Sequence, residues 1–231
     1  MRPLPVTTTT PAPCGVHAMS LKEVWDLVGG LSSPSKMPGY GYSLPAELCQ
    51  TGSKLRDLPG TPCSGCYARK GRYVFPNVQA ALYRRFRALS HPLWVDAMVR
   101  LIDHYASGCG YFRWHDSGDI QSLQHLENIA RICARTPHIQ HWLPTQERHY
   151  VLQYLRRHGD FPPNLCVRIS APKIHGYVPT YPQLPMITVS SVTEEDRPDA
   201  YNCPSRHQGN RCGDCRRCWQ RDTKHVAYRL H

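Results

Sequence analysis

The sequence has no long hydrophobic run and no recognisable export signal. Its longest apolar stretches, such as the Leu-Trp-Val run at residues 93–95, are interrupted by charge within a few residues. A membrane helix needs about 20 predominantly apolar residues, so no segment is expected to span a bilayer. Residues 1–13 are rich in Pro and Thr and lack the continuous apolar core of a secretory signal. We therefore expect a cytoplasmic protein.

Acidic residues are scarce. Only 17 Asp and Glu stand against 28 Lys and Arg, which gives a formal net charge of +11 at pH 7. A surplus of this kind suits a nucleic-acid partner, but it also describes an ordinary solvated face, and no known nucleic-acid motif is present. The basic clusters are Arg84, Arg85 and Arg87; Arg156 and Arg157; and Arg206, Arg211, Arg216, Arg217, Arg221 and Lys224.

Hydrophobic residues make up 41% of the chain, which is enough for one sizeable core and excludes a fibrous or disordered protein. We expect a flexible tail over residues 1–16, a β/α domain over residues 17–200, and a cysteine-rich, basic extension of the same domain over residues 201–231. The first helix should begin at Ser20, because Ser20 and Glu23 form a capping-box pattern, and should end at Gly29-Gly30.

Beyond residue 75, helical and strand patterns alternate, which is typical of parallel β-α units. The predicted helices cover residues 76–89, 92–106, 122–134 and 147–158. The predicted strands cover residues 111–115, 139–145, 165–171 and 186–192, with an earlier candidate at 40–44. The fold class predicted is therefore α/β, either a partial (β/α) barrel or an open parallel sheet. In both, residues that follow the strands meet at one edge, where sites are usually built.

Eleven cysteines in a cytosolic chain indicate metal ligation before disulfides. Near the C-terminus, Cys203 is followed after eight residues by Cys212, Cys215 and Cys218 at successive CxxC spacing. Three closely spaced cysteines with one remote cysteine before a proline favour a [4Fe–4S] cluster. Zinc is the alternative, although structural zinc prefers separated CxxC pairs.

A second group comprises Cys49, then Cys63 and Cys66 after thirteen intervening residues. Three cysteines could hold a cluster and leave one iron open to a small molecule. Two alternatives remain: a shared metal with the C-terminal cysteines, or a zinc knuckle. The other cysteines are interpreted as free thiols: Cys14, Cys109, Cys133 and Cys166.

His115 and Asp116 follow a predicted strand and are the candidate catalytic residues, as acid, base or ligand. The competing interpretation is that Asp116 or Asp119 caps the next helix. Glu147 could likewise favour the positive end of its helix. Trp219, which directly follows Cys218, is the candidate for shielding a cluster from water.

Four motifs resemble the phage "gene product 88" domain family. They lie at residues 36–46 (KMPGYGYSLPA), 63–73 (CSGCYARKGRY), 112–119 (FRWHDSGD) and 212–219 (CGDCRRCW). The resemblance extends from residue 36 to residue 219 and implies a viral origin, without implying a reaction.

A looser, architectural resemblance is to radical S-adenosylmethionine partial barrels. The compact CxxxCxxC of those enzymes is absent, as is a glycine-rich motif for S-adenosylmethionine, which argues against that cofactor. The leading hypothesis is an iron–sulfur protein that acts on a small-molecule or nucleotide substrate. The alternatives are a zinc-stabilised nucleic-acid-binding module and an electron-transfer protein.

Overall fold

A computed structural model describes residues 15–230, so Cys14 and most of the predicted tail lie outside the described residues. Every named strand pair in its seven-stranded sheet is parallel, and the strand order is β1-β2-β3-β4-β5-β7-β6. The strands are β1 (Tyr40–Tyr42), β2 (Tyr111–Trp114), β3 (Gln140–Thr145), β4 (Leu165–Ser170), β5 (Thr188–Thr193), β6 (Tyr201–Asn202) and β7 (His225–Arg229). The helices are α1 (Leu21–Leu27), α2 (Gln50–Leu55), α3 (Pro76–Ala88), α4 (Trp94–Ala106), α5 (Leu123–Arg135) and α6 (Arg148–His158).

The predicted α/β class is confirmed, and the sheet is open, with β1 and β6 at its edges. The four helices predicted after residue 75 are present within two residues of their expected bounds. The capping box at the start of α1 is also present, because Ser20 and Glu23 exchange hydrogen bonds. None of the helices between residues 15 and 230 has the length and apolar content needed to cross a membrane.

One face of the sheet is covered by a layer of helices. α1, α4, α5 and α6 lie side by side, and each contacts the next. The core between this layer and the sheet contains the fully buried side chains of Tyr42, Phe112, Trp114 and Leu143. This face is mostly apolar, as is typical of a sheet face covered by helices.

The other face carries an unusual mixture of side chains and is covered by the cysteine-rich segment 203–224. Trp142 of β3 pairs in register with Arg113 of β2 on one side and with Cys166 of β4 on the other, so the three side chains share this face. Cys218 and Trp219 pack on it beside Trp142 and Val226.

Strand order explains why the cysteines lie on this face. From β1 to β5 the sheet grows in one direction, and right-handed crossovers place the connecting helices on one side. β7 is inserted between β5 and β6, so the step from β6 to β7 runs in the opposite direction. A right-handed crossover must then pass over the opposite face, and that crossover is the cysteine-rich segment.

Candidate functional site

The first cysteine group lies at the carboxyl end of the sheet. Cys49 is the residue before α2, and Cys63 and Cys66 precede a short 3-10 helix, Tyr67–Arg69. A Cβ atom built on Gly52 would lie 3.5 Å from the Cys63 sulfur, 3.8 Å from the Cys49 sulfur and only 3.0 Å from the Cys49 Cβ. Glycine is unfavourable inside a helix. At this position it leaves space beside two thiols.

Glu147 fixes the Cys49 segment to the end of β3. Its Oε1 accepts a hydrogen bond from the Thr51 amide (2.7 Å), and its Oε2 accepts one from the Thr51 hydroxyl (2.7 Å). The carboxylate therefore caps α2, across the site, while it makes no capping bond to its own helix α6. Glu147 does precede α6, as the sequence suggests, and its Oε2 lies 3.7 Å from His149 Nδ1 in the first turn of that helix. The sequence did not reveal that the same carboxylate also binds the cysteine segment.

Asp119 joins the ends of two strands. Its Oδ1 accepts a bond from the Thr145 hydroxyl (2.5 Å) and its Oδ2 one from the Gln146 amide (2.8 Å). Burial raises the pKa of Asp119 to about 7. The cap of α5 is Ser122, which accepts a bond from the His125 amide. The interpretation of Asp116 or Asp119 as that cap is therefore wrong.

Asp116 lies against the Cys66 segment. Its backbone carbonyl accepts a hydrogen bond from the Tyr67 hydroxyl, and its Oδ2 accepts one from the Tyr73 hydroxyl at 2.6 Å. Its Oδ1 is buried without a partner. An unpaired buried carboxylate oxygen is costly, so this atom is available to a proton or a ligand.

His115 points toward the helix layer. Its backbone is left-handed (φ 62°), and its Nδ1 donates to the Tyr42 carbonyl at 2.8 Å, because a carbonyl can only accept. Its ring lies 5.2 Å from that of His125, and its Nε2 is buried without a partner. Burial lowers the pKa of His115 to about 4, so the ring is neutral at pH 7.

The second cysteine group spans the crossover. Cys203 donates its amide to Ala227 of β7 (2.9 Å), and Cys212 donates its amide to the Lys36 carbonyl (2.9 Å). The sulfur of Cys215 lies 3.4 Å from the Tyr201 hydroxyl, and that of Cys218 lies 3.2 Å from the Tyr228 hydroxyl. Strands β6 and β7 thus hold both ends of the group.

Burial and neighbouring charges raise the pKa values of several thiols in both cysteine groups. Burial, followed by the charges of Asp119, Cys66 and Cys63, raises the pKa of Cys49. Burial and Cys203 raise the pKa of Cys212, and burial raises that of Cys218 to about 12. Such thiols are protonated at neutral pH and are poor nucleophiles unless a metal takes up the thiolate. Among residues 15–230, no three His, Cys, Asp or Glu side chains converge tightly enough to hold a single metal ion.

Two arginines, Arg168 fully buried and Arg113 half-buried, lie on the same face as the second group. Arg168 is fully buried and donates to four backbone carbonyls, among them those of Arg217 and Gln220 in the crossover (both 3.3 Å). Arg113 lies over the Trp142 ring (4.4 Å), and its nearest acceptors are the Met37 sulfur (2.8 Å) and the Tyr67 hydroxyl (3.5 Å).

Neither guanidinium has a carboxylate within ion-pair distance among the described residues. Each Nε atom is also buried without a partner. Buried charges are normally paired. Arg168 has no carboxylate partner within residues 15–230, and Asp116 acts on Arg113 only from beyond ion-pair distance. The sequence analysis missed both residues, although an arginine inside an apolar strand such as LCVRIS is a signal that could have found them.

Trp219 lies between the second group and the sheet. It is buried, and its ring lies 5.1 Å from Trp142 and 5.4 Å from Tyr111. Its Nε1 donates to the Phe112 carbonyl at 2.9 Å. The arrangement limits the approach of water to Cys218 from the sheet side.

Some arginines of the basic clusters found in the sequence are buried or form ion pairs. Arg85 is buried and donates to the carbonyls of Gly30 and Leu31. Arg157 pairs with Glu127 (2.8 Å), and Arg221 pairs with Asp160 (2.6 Å). These three residues therefore contribute less free positive charge to the surface than the sequence suggests.

An open parallel sheet with helices on one face and a thiol-rich crossover on the other defines a cysteine-rich α/β protein. The chain belongs to the Gene product 88 family, a phage-type family whose model matches residues 20–221. This match includes both cysteine groups and confirms the resemblance given by the sequence motifs. No curated protein and no solved structure matches the chain.

Proposed function

We propose that this Gene product 88 protein is an iron–sulfur protein of the host cytosol. Cys203, Cys212, Cys215 and Cys218 would ligate a [4Fe–4S] cluster on the open face of the sheet. The observation that carries the proposal is the pair of guanidiniums of Arg113 and Arg168, which lie beside these cysteines, each with a buried, unpartnered Nε and with no carboxylate of the described residues within ion-pair distance.

Electrostatics connects the arginines to the cysteines. Arg113 lowers the pKa of Cys212, and Arg168 lowers that of Cys218, although burial outweighs both effects. A cluster held by four thiolates is a net anion in a low-dielectric site, and it would neutralise the two cations there. Bound to backbone carbonyls of the crossover, Arg168 would also hold the ligand loop in place.

The donor set is suited to a cluster. Thiolate sulfur is the ligand that iron–sulfur centres prefer. In a cubane each thiolate binds a different iron, so its cysteines do not need to converge on one point as they do around zinc. The protein would shield the centre with Trp219 and with the aromatic side chains around it.

We propose a second cluster at the carboxyl end of the sheet, held by Cys49, Cys63 and Cys66. The space left by Gly52 lies beside two of these sulfurs. A [4Fe–4S] cluster supplies one-electron chemistry, and three cysteine ligands leave one iron open to a small-molecule or nucleotide substrate. Glu147 would keep Cys49 in place, and Asp116, with its free Oδ1, would exchange a proton with the substrate.

Iron and acid-labile sulfide assays on anaerobically purified protein test the proposal. Cys215→Ser should remove the iron of the C-terminal group, and Cys49→Ser should remove only that of the other group. Cys109→Ser is the matched control, because Cys109 is exposed and belongs to neither group. Its iron content should equal that of the wild type.

Three results would overturn the proposal. If the purified protein is colourless and contains stoichiometric zinc, the bound metal is a structural zinc ion and not an iron–sulfur cluster. Iron that survives both cysteine substitutions would mean that these thiols are not ligands. Loss of all iron in either single variant would reduce the two proposed centres to one shared centre.

A further inference from the structure

The segment directly after Cys66 is an exposed surface of mixed basic and aromatic character. We define the basic–aromatic segment as residues 67–75, with the sequence YARKGRYVF. Tyr67 is 48% exposed and Phe75 is 53% exposed, which is unusual for side chains of this size. Between them, Arg69, Lys70 and Arg72 are exposed as well.

The positive charge of this surface is not neutralised locally. Arg69, Lys70 and Arg72 form no ion pair with any carboxylate in the described part of the chain. The sequence contains no Asp or Glu between Asp57 and Asp96. The segment is thus a cationic surface within an acid-free stretch of the chain.

The segment is also held rigidly. The Tyr73 hydroxyl donates to the Asp116 carboxylate (2.6 Å), and the Tyr67 hydroxyl donates to the carbonyl of the same residue. The Gln79 amide group donates to the Tyr73 carbonyl at 2.8 Å, which fixes the segment to α3. The exposed aromatic rings are therefore presented in a fixed arrangement, so little conformational entropy is lost when a partner binds.

We infer that the basic–aromatic segment binds single-stranded nucleic acid. Proteins that bind single strands combine cations that follow the phosphate backbone with aromatic rings on which bases stack. Arg69, Lys70 and Arg72 supply the cations, and Tyr67 and Phe75 supply the rings. A duplex keeps its bases stacked inside and offers none to these rings. An acidic protein would use the cations but would gain less from two exposed aromatic rings separated by them.

Fluorescence anisotropy with a labelled oligothymidylate and the full chain, over a range of KCl concentrations, tests the inference. The triple variant R69Q/K70Q/R72Q should reduce the log–log salt slope by about 2, since each lost phosphate contact on a single strand accounts for about 0.7. Phe75→Ala should weaken binding at least about fivefold, while Phe75→Trp should retain it. The double variant R131Q/R156Q, on the exposed surfaces of α5 and α6, should bind like the wild type.

Several results would overturn the inference. An unchanged salt slope in the triple variant, or unchanged affinity in Phe75→Ala, would overturn the inference. So would duplex DNA that binds as tightly as the single strand, or polyglutamate that displaces the oligonucleotide at equal charge, because an acidic protein would then be the partner. The inference does not depend on the clusters, and iron content should be the same in the triple variant and the wild type.

Discussion

Arg168 shows how a single buried side chain can organise the cysteine-rich loop. Its two terminal nitrogens reach the carbonyls of Val189 and Thr223, both at 3.0 Å, and those of two further residues in the crossover. A lysine could not make these bonds, because the planar guanidinium offers five donors in a fixed geometry. Arg168 therefore links the sheet to the segment that carries four cysteines.

We expect Arg168→Met to lower the free energy of unfolding by roughly 2–4 kcal/mol, because several buried carbonyls lose their donor. Urea denaturation monitored by tryptophan fluorescence measures the change. Arg131→Met, at an exposed position on α5, is the control and should stay within about 0.5 kcal/mol of the wild type. A variant at position 168 as stable as the wild type would show that the crossover does not depend on this side chain.

Individual residues could be selected from the sequence where the signal was local, but their distant contacts could not. Cysteine spacing was sufficient to select the seven candidate ligands, because the motif is local. The bonds of Glu147 to Thr51 and of Asp119 to Thr145 connect residues that are distant in the chain. Local patterns offered a helix-end role for each carboxylate: Ser122 takes the one offered to Asp119, whereas Glu147 does precede α6. Neither pattern indicated the contacts between strand ends.

At the scale of elements, the layer between sheet and helices contains three buried, neutral histidines. His141 accepts a bond from Trp114 and lies 2.9 Å from the Thr136 hydroxyl, and burial lowers its pKa to about 3. Burial also lowers the pKa values of His115 and His125. In the unfolded chain these rings would titrate near pH 6.5. Acid should therefore favour the unfolded state.

The difference in the number of protons bound by the unfolded and folded states determines whether the free energy of unfolding rises or falls with pH. Between about pH 4.5 and 6, the unfolded chain binds protons on three histidines that the folded protein leaves neutral. Asp119 acts in the opposite direction, because its raised pKa keeps a proton in the folded state. The balance is about two protons, so the free energy of unfolding should increase with pH over this range.

We expect His141→Gln to reduce this pH dependence by about one proton, which corresponds to about 1.4 kcal/mol per pH unit. Urea denaturation at several pH values gives the slope. His17→Gln, at an exposed position, is the control and should leave the slope unchanged. An unchanged slope in His141→Gln would mean that this ring is charged in the folded protein.

Most helices and the first five strands were predictable, because each shows a clear period and clear end signals. Strands β6 and β7 were missed. β6 has only two residues, and β7 follows the cysteine-rich segment without a preceding helix to complete a β-α unit. Their position in the sheet depends on pairing between distant residues, which periodicity does not encode.

At the scale of the whole molecule, the C-terminal region is an integral part of the sheet. β7 pairs with β5 over five residues and with β6 over two. Its side chain at Val226 is fully buried beneath Trp219 and Trp142. Residues beyond 200 thus do more than extend the fold, since they complete the sheet and cover its second face.

We expect a chain that ends at Asn202 to lose cooperative folding, because β5 would become an edge strand and Arg168 would be exposed on a bare face. Far-UV circular dichroism and thermal unfolding measure this. The full-length double variant C212S/C215S retains β7 and should still unfold cooperatively. A truncated chain with a wild-type melting transition would contradict the role assigned to β7.

The insertion of β7 beside β6 has a mechanical consequence. The two strands that flank the thiol-rich loop are hydrogen-bonded neighbours that run parallel, so the loop leaves the carboxyl end of β6 and returns to the amino end of β7, and the pairing fixes the positions of both its ends. Strand pairing therefore meets much of the entropic cost of closing this loop without any ligand. In the proposed iron–sulfur protein, separation of the edge strand β6 from β7 would free one end of the loop and so favour loss of the cluster.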